Sequence, residues 1–389
     1  MWLRNTKSFL FIPALALFLA TPVEPAEEDS AQLFSRAQQL QLQGKYQAAA
    51  AIYERLAERS PHSIEVLNDL GVVYAHMGKY QQAAHAYRQA LQLEPGSVPL
   101  LTNLGLAYFK AEDFQRAVKP LTLAVRAEPG NLQALTLLAM SHYGAHMYGE
   151  AAPEFERLIA GNTENSTLRY LLAESYLRSA QYENALQTFQ TLQRDYPDSA
   201  AAHMLMGEAY DGLDRTRQAI EEFRRAGAVA PSRPNVHFSL GYLYWKEREF
   251  EEAEREFRQE LKNDPAHALA KAYLADIYVR RKALSSARQL LEEALNSDGS
   301  VRIAYVDLGI VYTDEHQYEK AVAALKHAIR LDPTKVDAHF RLSAAYQAMG
   351  WIQDAEAERQ EVARLQQKTR EDLLYKISGP PPAPQVKSP

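Results

Sequence analysis

Ile64–Ser97 reads IEVLNDLGVVYAHMGKYQQAAHAYRQALQLEPGS. Leu67, Leu70, Gly71 and Tyr74 recur at i, i+3, i+4 and i+7, the apolar stripe of one amphipathic helix. Ala83, Tyr87 and Ala90 form the stripe of a second helix. Gly71 and Ala83 are small where the two stripes are expected to meet, so the backbones can approach closely. Leu67, Tyr74 and Tyr87 are large and fill the space around them. Gly78 suits the left-handed residue that ends a helix. Pro95 lacks the N–H that would continue the second helix and stops it.

A lone hairpin of this size cannot bury its apolar face, so the pattern must recur. It does, with a period of 34 residues. The Gly71 place is taken by Ala37, Gly105, Ala139, Ala173, Gly207, Gly241, Ala275, Gly309 and Ser343. Alanine holds the Ala83 place at 49, 117, 151, 185, 219, 253, 287, 321 and 355. The Tyr74 place is Tyr again at 108, 176, 210, 244, 278, 312 and 346, and the Pro95 place is Pro at 61, 129, 197, 231, 265 and 333. No insertion breaks the phase between Ser30 and Thr369.

These residues at this spacing resemble the tetratricopeptide repeat family, in ten consecutive copies over residues 30–369. The resemblance implies an all-α fold, a right-handed superhelix of antiparallel helix pairs, with first helices lining a concave groove. It implies a protein-binding scaffold rather than an enzyme, with no cofactor. One subtype clamps chaperone C-termini with Lys, Asn and Arg at set groove places. Asn103 matches one such place, but Asn68, Val72, Gln133 and Leu137 do not complete the set.

The ends differ from the repeats. Residues 1–20 combine Arg4 and Lys7 with the apolar run SFLFIPALALFLA, the layout of a secretory signal peptide or an uncleaved N-terminal anchor. Residues 21–29 read as an acidic, Pro-containing linker, and cleavage is expected after Ala20 or Ala26. The net charge of the whole chain is −6, and residues 1–20 carry two bases and no acid, so the remainder stands at −8. That balance argues against nucleic acid as the main partner. There is no cysteine, which excludes disulfides, thiolate metal sites and lipoprotein attachment. At the other end, Thr369 and Asp372 resemble a capping pair opening a short helix over 370–377, whose Leu373, Leu374 and Ile377 would cover the last repeat. Residues 378–389 read as a disordered Pro-rich tail.

Two prolines fall inside second helices, Pro120 and Pro153, and the fourth repeat has His142 at the Tyr place and a closing turn, GNTENS, without its proline. The stretch from Pro120 to Asn165 reads as a joint between stacks. Asn165-Ser166-Thr167 matches a glycosylation sequon and is read as a chance match.

Little in the chain suggests catalysis: no P-loop, GxGxxG, HExxH or GxSxG is present. His142 and His146, four apart on one helix and near Glu150, have a spacing able to bind metal, but His142 occupies a core place. His203, His237 and His339 share one place and are expected to plug the seam between helices. The Glu- and Arg-rich second helices, such as EEFRR and EEAEREFRQE, read as a solvated outer face.

The informative positions flank the buried stripe of the first helices. They are Phe109, Lys110, Tyr143, Tyr170, Arg178, Met204, Phe238, Tyr242, Trp245, Lys246 and Arg280, with Glu174, Glu208, Asp211, Asp276 and Asp314 among them. Aromatics mixed with Arg and Lys are the usual anchors of a contact surface. Tyr242 and Trp245 share a face directed away from the stripe of His237, Leu240, Gly241 and Tyr244, where they would contribute little to the stack; the competing reading has Trp245 wedged between the seventh and eighth repeats as core. Lys246 and Arg280 are expected to orient a partner's carboxylates. The resulting expectation is an exported, periplasmic or secreted scaffold holding a peptide segment or helix of an envelope protein. A carbohydrate-binding scaffold for envelope polysaccharide is the alternative, since aromatic faces also stack on sugars.

Overall fold

The computed structural model describes residues 29–161, 165–195 and 199–378, with 194–195 and 373–378 described by backbone alone. The signal-like segment, nearly all of the linker, the Pro-rich tail beyond Ser378, positions 162–164 of the fourth closing turn and the side chains of Leu373, Leu374 and Ile377 lie outside that description. The chain divides into two compact units, Met1–Met147 and Tyr148–Pro389. The division falls in the turn of the fourth repeat, inside the stretch where the sequence places a joint.

The first unit holds α1 (Ser30–Leu42), α2 (Tyr46–Arg59), α3 (Ile64–His76), α4 (Tyr80–Leu93), α5 (Val98–Lys110), α6 (Phe114–Ala127) and α7 (Leu132–Gly144). The second opens with α8 (Tyr148–Gly161), α9 (Ser166–Arg178), α10 (Tyr182–Asp195), α11 (Ala200–Gly212), α12 (Thr216–Val229) and α13 (Val236–Lys246). It continues with α14 (Phe250–Asn263), α15 (Ala268–Arg280), α16 (Leu284–Ser297), α17 (Arg302–Asp314), α18 (Tyr318–Leu331), α19 (Val336–Ala348) and α20 (Ile352–Ser378). Within each unit every helix packs on the one before it and the one after it, and the described residues contain no strand.

Local chemistry sets the ends of the first helices. Side chains of Ser63, Asn131, Asn165, Ser199 and His267 accept the N–H of the residue three places on, satisfying a donor the helix cannot. Asn165 of the sequon is therefore a helix cap. Pro99 sits in the first turn of α5, where its missing N–H costs nothing. At the other end one turn recurs in all ten repeats. The residue at the Gly78 place is left-handed, and the N–H of the next residue returns to the carbonyl at the Tyr74 place, as Lys79 does at 2.9 Å. Gly44, Gly78 and Gly350 adopt that conformation freely, whereas Glu112, His146, Ala180, Asp214, Arg248, Lys282 and His316 adopt it with φ near 60°. Tertiary packing overrides local preference at these seven positions.

All ten alanines at the Ala83 place are fully buried. The small residue at the Gly71 place meets a different partner from the one expected: a Cβ on Gly71 would lie 2.5 Å from the Tyr87 ring, and one on Gly241 would lie 2.7 Å from Phe257. The close approach is thus small against large, sixteen residues apart, rather than Gly against Ala. Three tyrosines at the Tyr74 place tie their repeat to the one before. Tyr74 donates to Glu54 at 2.6 Å, Tyr176 to Glu156, and Tyr278 to Glu254 at 3.2 Å. Burial and Glu54 push the Tyr74 phenol up to about 12. The three seam histidines each face a glutamate on the second helix of the same repeat, His203 to Glu222 at 2.6 Å, His237 to Glu256 at 2.7 Å and His339 to Glu358 at 2.6 Å.

Three further expectations fail. The second helices are not wholly solvated on their charged side, because Glu222 and Glu260 are buried and hydrogen-bonded. No separate helix begins at 370: α20 runs unbroken from Ile352 to Ser378, and the Thr369 hydroxyl donates to the Leu365 carbonyl four residues back, as in a helix interior. His146 lies beyond the end of α7 in the left-handed turn, not on one helix with His142, which is buried. Among the described residues no group of three or more His, Cys, Asp or Glu is placed to hold a metal ion.

Candidate partner-binding face

Phe109, Lys110 and Tyr143 belong to the first unit. Phe109 meets Phe114 edge-on at 5.5 Å, and Tyr143 is half-buried near the end of α7. Lys110 borders a cleft of about 240 Å³ with Val72, His76, Asn103 and Leu106. Asn103 there donates to Asn68 at 3.3 Å.

The other eight residues lie in the second unit. Tyr170 is half-buried beside a cleft of about 290 Å³ lined by Thr167, Leu192 and Ala202, and burial raises its phenol above the ordinary value. Met204 Sδ accepts from Arg233 at 3.1 Å. Arg178 joins Glu174 on its own helix and Glu208 on α11, at 3.9 and 3.1 Å. Burial raises the Glu208 carboxyl above its ordinary value, and Arg178 opposes that rise.

Repeats seven and eight bring the aromatics together. The Phe238 and Tyr242 rings lie 6.5 Å apart, Tyr242 and Trp245 are stacked at 6.1 Å, and Tyr273 of α15 meets Tyr242 and Trp245 edge-on at 5.4 and 4.9 Å. Periodicity puts Phe238, Tyr242 and Trp245 on one side of α13; the neighbouring helix supplies the ring that completes the cluster. Sequence reasoning missed Tyr273. Its signal was available: it stands three residues before Asp276, as Tyr242 stands three before Trp245.

The cluster is partly structural. Phe238, Tyr242, Trp245 and Tyr273 are half-buried, and all but Tyr242 pack against the buried core of Leu240, Tyr244, Phe257 and Leu274. Trp245 Nε1 donates to Asp276 Oδ2 at 2.6 Å, bridging α13 to α15. Trp245 therefore joins the seventh repeat to the eighth, as the competing reading has it, and not as a ring that adds little to the stack.

The two cations expected to meet a partner's carboxylates already have carboxylates of their own. Lys246 Nζ contacts Asp211 at 2.9 Å and Asp214 at 3.4 Å, which hold its ammonium above the usual lysine range. Arg280 donates to both oxygens of Asp276, at 2.6 and 3.2 Å, with its guanidinium 5.8 Å from the Trp245 ring centre and 5.3 Å from that of Phe250. Deeper in the stack, Asp307 of α17 is 2% exposed, and its Oδ2 has no hydrogen-bond partner among the described residues. Burial, then the nearby charge of Asp276, pushes its carboxyl well above the ordinary range, against the pull of Arg280 and Arg341.

Profiles of the tetratricopeptide repeat match residues 33–63, 64–97, 102–167, 142–209 and 238–301, and one described as a TPR repeat matches 309–350. Among solved structures, the chain is similar to a tetratricopeptide repeat protein from Parabacteroides merdae, with 21% identity and a TM-score of 0.51 over 64% of this chain and 98% of that one. Yeast Tom70 aligns over 90% of this chain and 94% of its own, with 16% identity and a TM-score of 0.42. YrrB, described as a TPR protein with an unusual peptide-binding site, aligns over 49% and 97%, with 15% identity and a TM-score of 0.38. At these identities the likeness concerns the fold. No curated protein matches the chain in sequence.

Proposed function

Since the chain belongs to the tetratricopeptide repeat family, we propose that it is an exported, non-enzymatic scaffold whose first helices hold a segment of a protein partner in the cell envelope. The observation that carries the site is the aromatic cluster of Phe238, Tyr242, Trp245 and Tyr273. Its rings keep part of their surface open while Phe238, Trp245 and Tyr273 pack against the core and Tyr242 lies against those three rings, so the cluster is held rigid before any partner arrives. Rigid aromatic anchors lose little conformational freedom on binding, which favours affinity. Export is supported by Arg4 and Lys7 followed by the apolar run to Ala20.

A photo-crosslinking residue at Tyr242 in cells is the test, with a second at the exposed Arg255 on α14 as control. The expected outcome is a discrete envelope protein crosslinked from position 242, absent from 255, and reduced by Trp245→Phe. Equal crosslinking from both positions, or recovery of cytosolic proteins alone from a full-length chain, would count against the reading.

A further inference from the structure

We infer that the first-helix face around α11–α17 takes a partner segment bearing lysine or arginine side chains, seated over Tyr242 and beside the carboxyls of Asp211 and Asp214. This rests on the scaffold reading above and names the chemistry of its partner.

The first observation is the charge balance of the face. Asp211 and Asp214 share the single ammonium of Lys246. Asp276 has Arg280, Asp314 has Lys282 at 2.7 Å, and Asp307 carries no ion pair among the described residues. The side chain of Asp214 is 90% exposed, so the surplus charge lies open to a ligand. An acidic partner would meet cations already engaged and carboxylates that repel it. A basic one finds acceptors with capacity to spare.

The second observation is independent of that count. Asp307 Oδ2 is a buried polar atom with no hydrogen-bond partner among the described residues, in the field of Asp276 and beside the aromatic cluster, where the nearby Tyr273 is pushed up to about 12 by burial first and by Tyr242, Asp276 and Asp307 after it. A buried polar atom left without a partner is expensive, and Arg280, whose charge reaches Asp307, is already bonded to Asp276. The third is the behaviour of Arg280, which already shows how the face treats a cation. It lies over the Trp245 ring and bonds the carboxyl beside it. Tyr242, stacked on Trp245, offers a second ring of the same kind with no cation over it among the described contacts.

The full chain is panned against a phage-displayed library of random linear peptides. Synthetic copies of the winners are then titrated against the protein and against Asp211→Asn, Asp214→Asn, with melting curves confirming that the variant folds. Winning peptides should carry more Lys and Arg than Asp and Glu, and their affinity should fall as salt rises. The double variant should bind at least about tenfold more weakly, since it removes two carboxyls and leaves Lys246 unmatched. Winners that are neutral or acidic, or binding indifferent to the double variant, overturn this inference and leave the scaffold reading in place. A panning that enriches nothing overturns both.

Discussion

Glu260, near the end of α14, accepts the backbone N–H groups of Asn235 and Phe238 at the start of α13, at 2.9 and 3.0 Å, while wholly shielded from solvent. Asn235 itself is left-handed and makes no side-chain cap, and α13 is two residues shorter than its counterparts, 11 against 13. A side chain from the second helix thus does the capping that the preceding Ser, Asn or His does for α3, α7, α9, α11 and α15.

Glu260→Ala is expected to lower stability by about 3 kcal/mol, because two orphan donors lose a buried acceptor together. Glu260→Gln, which keeps one oxygen, should lose about half as much. Urea unfolding followed by circular dichroism measures both. A midpoint unmoved in Glu260→Ala would mean that the start of α13 is held by something else.

The left-handed turn allows a two-way check on backbone strain. Gly78→Ala adds a Cβ with no atom within 4 Å of it, so a loss of about 1 kcal/mol would be strain alone. Glu112→Gly, at the same place one repeat on, should raise stability by up to about 1 kcal/mol. Opposite shifts in the urea midpoint are expected; shifts of the same sign would contradict a shared conformation.

Trp245→Phe keeps the ring against Tyr273 but removes the N–H that Asp276 accepts. Stability should fall by about 1–3 kcal/mol, since Asp276 is buried. Tyr242→Ala should cost less, because Tyr242 makes no such bond among the described contacts. If the two variants melt alike, Trp245 is not the link between repeats seven and eight.

The pH dependence of stability should carry the mark of Asp307. Its folded pKa is raised, so the native state holds a proton that the unfolded chain releases above its ordinary value of 3.8. The group's contribution is therefore neutral to stability below that value and becomes a growing penalty as pH climbs toward the raised folded value. Asp307→Asn, uncharged throughout, should escape the penalty. The advantage of the variant over the parent in urea midpoint should widen from pH 4 upward; a constant difference would place the ionised form in the native state.

Repetition made most of the architecture legible. A 34-residue phase places twenty helices, and the Gly78 place marks the left-handed turn even where Glu112 or Arg248 stands in it. Asp276, Lys246 and Arg280 were legible as residues of the first-helix face, but their partners were not. Lys246 reaches 35 residues back to Asp211, and Trp245 reaches 31 forward to Asp276, distances at which no local pattern operates. Glu260 looked like its neighbours in EEAEREFRQE because only its position against α13 distinguishes it.

By itself the sequence determined the repeat count, the helix pairs and the buried stripe, because each depends on spacing along one helix or on the residue that can occupy one turn. The tertiary structure decided which polar side chains are buried, which cations are already paired and where the aromatic rings converge. Those depend on ångström-scale distances between helices in successive repeats. A periodic pattern states which side of a helix a residue is on and says nothing of what stands opposite.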